Sequence, residues 1–374
     1  MQDLQQIRQY LHQNPELSSY EIETSDYIIK QLRALGISEI SSVGEPKSIL
    51  ATINGTAPGA HILFRCELDA LPIHEENNID YRSEVAGVSH KCGHDGHMTI
   101  LLGLAEKLIQ HPLAGKIYLL FQSSEEIGIG AQAVLDSTEL DAKAIDYVFA
   151  LHNVPGFDKC SVVIKEAVFT PTVESFLVEF IGETSHAGEP DNGKNPAACI
   201  ADSIQQFNQL HQPNKGQDDY FVVAPVFVKM GEESYGVSAG NGRLGYTFRS
   251  YNQGYFNQQK EKVEHLVTRL AKEYELEVKF QWKEAFNATI NDNEAVSFVK
   301  SAAQLLQLTT IDKREPFDWG EDFGLFTQHY KGALFGWGAG NDCFPLHDSR
   351  YDFPDDIVTD AINLFHEIAK QIQE

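Results

Sequence analysis

The chain has 374 residues, 29 basic against 54 acidic, and a formal net charge of −25 at pH 7. That balance repels nucleic-acid backbones and anionic bilayers, so neither is an expected partner. It does not choose a substrate, because most surface carboxylates simply serve solubility. The length suggests two domains at ~100–200 residues each, and 42% hydrophobic content supplies cores and argues against disorder. The five cysteines, Cys66, Cys92, Cys160, Cys199 and Cys343, are odd in number and lack CxxC spacing, which predicts free thiols in a reducing compartment. MQDLQQIRQYLHQNPEL has no apolar signal core, and no later window reaches the ~18 apolar residues of a membrane span. A cytoplasmic protein is expected.

In chain order, Leu4, Ile7, Leu11 and then Ile22, Tyr27, Ile28, Leu32 recur at helical spacing on either side of the NPELS turn. Apolar strand-like runs follow at 48–53 and 60–66, then a helix over 94–110, a strand over 116–122, a helix near Ala131 and a strand over 147–151. Strands alternating with helices predict an α/β fold with a mostly parallel central sheet flanked by helices. In such sheets ligands gather beyond the C-terminal strand ends. Glu67 with Asp69, Glu125 with Glu126, and His152 each closely follow an apolar run.

From about Pro171 the texture changes to strands over 175–181, 221–230 and 243–250, with helices over 196–211 and 254–274, each roughly 20 residues long. This predicts a smaller α+β domain inserted at 171–286. Helices at 295–306 and 357–372 and a strand at 332–337 return to the first style, so residues 1–170 and 287–374 form one discontinuous domain. The glycine-rich GIGAQA and GWGAG read as tight turns, since neither completes a nucleotide-binding loop. The aromatic residues between Phe317 and Trp337 read as core and pocket wall.

The run KCGHDGH (91–97) concentrates the chemistry. On a regular helix Cys92 and His94 would lie about 200° apart, whereas His94 and His97 share a face. Gly93 can supply a sharp turn that leaves Cys92 on a loop and starts the helix at His94, so that both aim at one point. A helix N-terminus, a neighbouring histidine and a cation would each favour the thiolate. A metal cluster is one reading; a Cys92 nucleophile with His94 or His97 as base is another, and ordinary buried or surface residues a third. In FQSSEEIG, Glu125 and Glu126 leave an apolar strand and can diverge, one to coordinate a cation and one to handle the proton of a water.

The runs RCELDALPI (65–73), KCGHDGHM (91–98), FQSSEEIGIGA (121–131), ALHNVPG (150–156), TSHAGEP (184–190), EDFG (321–324) and PLHD (345–348) occur in the order found in the metal-dependent aminoacylase/carboxypeptidase family. The chain resembles its amidohydrolase branch, which includes hippurate hydrolases, auxin-conjugate hydrolases and N-acetyldiaminopimelate deacetylases. The resemblance implies a zinc-exopeptidase-like catalytic domain with a ferredoxin-like lid and a site for two divalent ions. Its ligands would be Cys92, His94, Glu126, His152 and His347, with Cys92 bridging. Glu125 would act as general base and acid and Asp69 would order the ligands. His186 of the lid would stabilise the oxyanion, and Arg249 stands where relatives hold a basic residue.

Zinc or manganese is the expected metal, and the donors also suit cobalt or nickel. The implied substrate is a small N-acyl amino acid or related conjugate, and a homodimer through the lid is open. Alternatives are a metallo-dipeptidase or aminopeptidase, and a catalytically silent metal-binding homologue, which the intact Glu125 disfavours. Glu67 stands in place of the family's aspartate, Cys66 of alanine, Asp191 of a second histidine and Gly236 of asparagine.

Overall fold

The computed structural model describes residues 3–141 and 143–374, and these form two compact units. The first comprises the chain up to Phe169, Thr289–Arg314 and Glu321–Glu374; the second comprises Thr170–Ala288 and Glu315–Gly320. The short 315–320 segment thus belongs with the second unit.

The first unit is built on an eight-stranded sheet in the order Ile40–Val43, Ser48–Asn54, Lys116–Gln122, His61–Glu67, Tyr147–Pro155, Lys331–Gly340, Val162–Ile164, Thr310–Asp312. Its four adjacent strands Lys116–Gln122, His61–Glu67, Tyr147–Pro155 and Lys331–Gly340 are parallel. These strands are nearly continuous apolar runs, as a sheet covered on both faces requires. Helices Leu4–Gln13, Ile22–Ala34, His94–Gln110, Asn293–Leu305 and Val358–Gln373 contribute its buried apolar residues, among them Leu11, Leu32, Leu101, Val299 and Phe365. The helix His94–Gln110 is buried over most of its length, with Met98, Ile100, Leu101, Leu104 and Leu108 all at or below 1% exposure.

The second unit has an antiparallel sheet in the order Val222–Met230, Asn241–Ser250, Thr172–Ile181, Glu277–Phe286. With helices Ala197–Gln209 and Gln253–Glu273 this is the ferredoxin-like succession of strand, helix, two strands, helix, strand. Alternating Phe176, Val178 and Phe180 pack with Phe207, Val263 and Val267 from the helices in one core. Of the two helices expected at roughly 20 residues, the second has 21 but the first only 13, ending at Gln209 before the loop containing Pro213. The strand Glu277–Phe286 escaped the periodicity reading.

Buried charge fastens the first helix. His12 lies between two carboxylates, Nδ1 2.8 Å from Asp95 Oδ2 and Nε2 2.9 Å from Glu75 Oε1, and Arg8 Nη1 meets Asp95 and Asp352 at 3.2 and 2.9 Å. Burial opposes charge on His12, but the hydrogen bonds and charges of Asp95 and Glu75 overcome it and raise its pKa to about 9. The folded value exceeds the unfolded ~6.5, so this stabilisation is complete below about pH 6.5 and is lost as pH rises through 9. His12→Gln should therefore remove of order 1–3 kcal/mol of the native protein's stability loss between pH 6.5 and 9.5. Urea midpoints of the two proteins across that range measure the difference.

Candidate metal centre

Each of the four adjacent parallel strands of the first unit delivers a polar group beyond or near its C-terminal end. Asp69 follows His61–Glu67, Glu125 and Glu126 follow Lys116–Gln122, His152 lies within Tyr147–Pro155, and His347 follows Lys331–Gly340. Gly93 caps the helix His94–Gln110 with φ +91°. Glycine suits the position, because that φ strains other residues and a Cβ there would sit 2.7 Å from the Asn153 side-chain amide. The turn leaves Cys92 outside the helix, with Sγ 3.4 Å from His152 Nε2.

The donors form two triads that share one sulfur: Cys92, His94 and His152, and Cys92, Glu126 and His347, with the ligand atoms of each triad within 4.8 Å of one another. Glu126 faces both, Oε1 3.8 Å from His94 Nε2 and Oε2 3.8 Å from His347 Nε2. His94 Nδ1 donates to the Asp69 carbonyl at 2.7 Å, leaving its Nε2 without a hydrogen-bond partner, as is Glu126 Oε1. Buried polar atoms are almost always paired. Orphans facing one another among thiol, imidazole and carboxylate donors fit divalent cations.

The electrostatics point the same way. Burial works against charging His94, yet its contact with Asp69 and the charges of Glu67 and Glu126 raise it to about 10. Burial, only partly offset by His94, raises Glu126 to about 7. The Cys92 thiol is pushed well above its usual value by burial and then by Glu126, Glu125 and Glu67. The thiolate that the helix terminus and adjacent histidine were expected to favour is therefore opposed by these carboxylates. An added positive charge reverses that balance, which favours a ligand role over an unassisted cysteine nucleophile.

The ligands rest on a dense support. Asp69 Oδ2 accepts from Ser18 Oγ at 2.7 Å and from the Glu126 amide at 2.9 Å. Ser124, at φ +59°, turns the chain just before Glu125 and Glu126, whose carboxylates lie within 4.8 Å of one another and of His94. Such a conformation costs about 1–2 kcal/mol in a non-glycine residue, and the buried Glu21 carboxylate accepts from the Ser124 amide at 2.7 Å and Ser123 Oγ at 3.1 Å to hold it.

His97 places Nδ1 2.6 Å from Glu67 Oε2, and its Nε2 accepts from the Asn153 amide at 3.2 Å. Both nitrogens are thus engaged, although His97 with Glu67 and His94 forms a third close grouping. Glu67, with the longer side chain where aspartate was expected, reaches both His97 and the buried Arg65. Arg65 also meets Asp322, and it lies 3.0 Å from Glu321.

Glu125 is 5% exposed, and it has a carboxylate oxygen within 4.8 Å of Glu321 and Asp322 oxygens. Its carboxyl is pushed well above the ordinary range by burial and then by Glu321, Glu126 and Asp322, with Arg65 opposing. The supports Arg65, Glu321, Asp322, Glu21 and Ser18 were not singled out from sequence. The EDFG run contained Glu321 and Asp322, and the RCELDALPI run contained Arg65.

His186 and Arg249 lie in the second unit. His186, on the short strand Ser185–His186 paired with Val237–Ser238, is exposed and accepts the Gly188 amide on Nδ1 at 3.0 Å. Arg249 donates to the Asp318 carbonyl at 2.7 Å.

A parallel α/β sheet whose strand ends converge thiol, imidazole and carboxylate donors, with a further buried carboxylate beside them, defines a metal-dependent hydrolase. Residues 63–371 match Peptidase family M20/M25/M40, and the chain belongs to that family. It is 31% identical over 370 residues to an N-acetyl-L-cysteine deacetylase of Bacillus subtilis, covering 98% of this chain and 87% of that one. It is 28% identical over 363 residues to an N-acetyldiaminopimelate deacetylase of Oceanobacillus iheyensis, covering 97% of each. Among solved structures it is similar to a dinuclear metal-binding peptidase of the M20 family from Bacillus subtilis, with a TM-score of 0.82, 26% identity, and coverage of 99% of this chain and 97% of that one.

Proposed function

We propose that the chain is a two-metal amidohydrolase that cleaves the amide bond of a small N-acyl amino acid or related conjugate. The observation that carries this reading is the pair of donor triads joined at Cys92 with Glu125 beside them. Two divalent cations held there would supply Lewis-acid polarisation of the scissile carbonyl and a water acidic enough to attack near neutral pH. Cys92, His94 and His152 would hold one, and Cys92, Glu126 and His347 the other. Zinc or manganese suits this donor set, as cobalt or nickel can.

Glu125 takes the proton of the attacking water and returns it to the departing amine nitrogen. Its raised affinity for protons, from burial and neighbouring carboxylates, favours the return step, while a nearby positive charge favours the ionised starting state. Asp69 fixes the His94 ring through its carbonyl and the Glu126 backbone through its carboxylate. His186 is the donor to the developing oxyanion. Because Nδ1 accepts from Gly188, the neutral ring carries its proton on Nε2. Arg249 is the substrate's basic contact, with one of its donors already given to Asp318.

Among the described residues no helix is long and apolar enough to cross a membrane. The five free cysteines favour a reducing, cytoplasmic setting. A homodimer through the second unit is supported by the edge strand Val222–Met230, which exposes Val226, Phe227, Val228 and Met230. The substrate class is tested by incubating Mn2+-loaded and Zn2+-loaded protein with N-acetyl, N-benzoyl and longer N-acyl amino acids and with unblocked dipeptides, following free amine. Release from the N-acyl series is expected; turnover of dipeptides alone would assign a dipeptidase.

A further inference from the structure

Among the proposed ligands His347 is the least supported by its own side chain. It is exposed, at φ +66°, on the loop that follows the strand Lys331–Gly340. Its ring approaches Glu126 only to 3.8 Å, so the backbone must aim it.

That backbone is held by Lys91, the residue before Cys92. The Lys91 carbonyl accepts from the His347 amide at 2.8 Å. Its ammonium group, fully buried, donates to the Tyr351 carbonyl at 2.8 Å and to Glu75 Oε1 at 2.6 Å. One residue thus grips the loop at two points four positions apart while bonded covalently to the shared sulfur ligand. Further ties run beside it, from the Glu76 amide to the Ser349 carbonyl at 3.0 Å and from Asn77 Nδ2 to the Tyr351 carbonyl at 3.2 Å. A buried ammonium is tolerated only with such partners, and Glu75 is the charge that keeps it there.

We propose that Lys91 is a positioning residue that sets the affinity of the Cys92, Glu126 and His347 site by clamping the His347 loop to the Cys92 turn, without touching a cation itself. This rests on the two-site reading above. Ligand supports of this kind change metal affinity by about 10–100-fold, and the effect should fall on the His347 site, because that loop carries His347, whereas His94 opens a helix and His152 lies within a central strand.

Lys91→Met keeps the apolar stem but removes one of the two basic partners of Glu75, His12 being the other, so Lys91→Met/Glu75→Gln accompanies it to remove the carboxylate charge as well. Metal-stripped native and variant proteins are titrated with Co2+, with calorimetry counting ions, visible absorption reporting thiolate coordination and circular dichroism reporting the fold. The native chain should take up two ions. In the double variant one ion should bind with native affinity and the second at least tenfold more weakly, and the single variant, where folded, should behave alike. Two ions of native affinity in the double variant would overturn the proposal, since any loss in the single variant would then come from the altered charge balance at Glu75. Equal weakening of both ions would also overturn it. Fewer than two ions in the native chain would instead refute the two-site reading itself.

Discussion

Glu125→Gln is expected to lower kcat/KM for amide hydrolysis by about 10³-fold or more while leaving cation uptake unchanged. The expected loss follows from the role, since a positioned general base or acid typically contributes 10²–10⁴-fold. The expected retention follows from geometry: Glu125 is outside both triads that share Cys92, although its carboxylate lies within 4.8 Å of His94 and Glu126 ligand atoms. Glutamine keeps the shape and removes the capacity to carry the proton. Because the carboxylates of Glu321, Glu126 and Asp322 disfavour a charge at this position, the neutral amide should not destabilise the fold. Steady-state rates together with metal counting on the same preparation separate the two effects. Full activity in this variant would remove Glu125 from the mechanism.

Cys92→Ser should have an effect of similar size through a different cause. Cys92 is common to both triads, so losing its sulfur weakens both sites at once. A serine hydroxyl is a poorer ligand for zinc but is better tolerated by manganese, which accepts oxygen donors readily. Metal content should fall below one ion per chain, hydrolysis should drop by about 10³-fold, and excess Mn2+ should restore part of it. If the variant kept its metals but stayed inactive, and alkylation stopped the native enzyme regardless of metal, Cys92 would be a nucleophile. The carboxylates that push its thiol upward argue against that outcome.

One rim of the sheet was legible because it follows from local rules, whereas the ligand assignments, His347 among them, came with the family resemblance. Apolar runs over 60–66, 116–122 and 147–151 read as buried parallel strands, and polar residues just beyond such ends point to one rim. Gly93 could be assigned its turn because two ligands two residues apart need one. The support around them was not legible. Arg65 meets Asp322 across 257 positions, and Glu21 holds Ser124 across 103, so no local pattern distinguishes these buried charges from surface ones. Lys91 is likewise an ordinary surface residue type, and only the enclosing Glu75 and Tyr351 carbonyl make it a clamp. The edge strand Glu277–Phe286 was missed although Val278, Phe280 and Trp282 alternate with Lys279, Gln281 and Lys283, the period of a strand.

The dependence of hydrolysis on the Cys92-centred cluster is tested most directly by stripping the protein with a chelator and restoring Mn2+ or Zn2+ stepwise, while following free amine from an N-acetyl amino acid and ions bound per chain. Activity should vanish on stripping and return as the second equivalent binds. Undiminished turnover by the stripped protein would contradict a metal-dependent amidohydrolase.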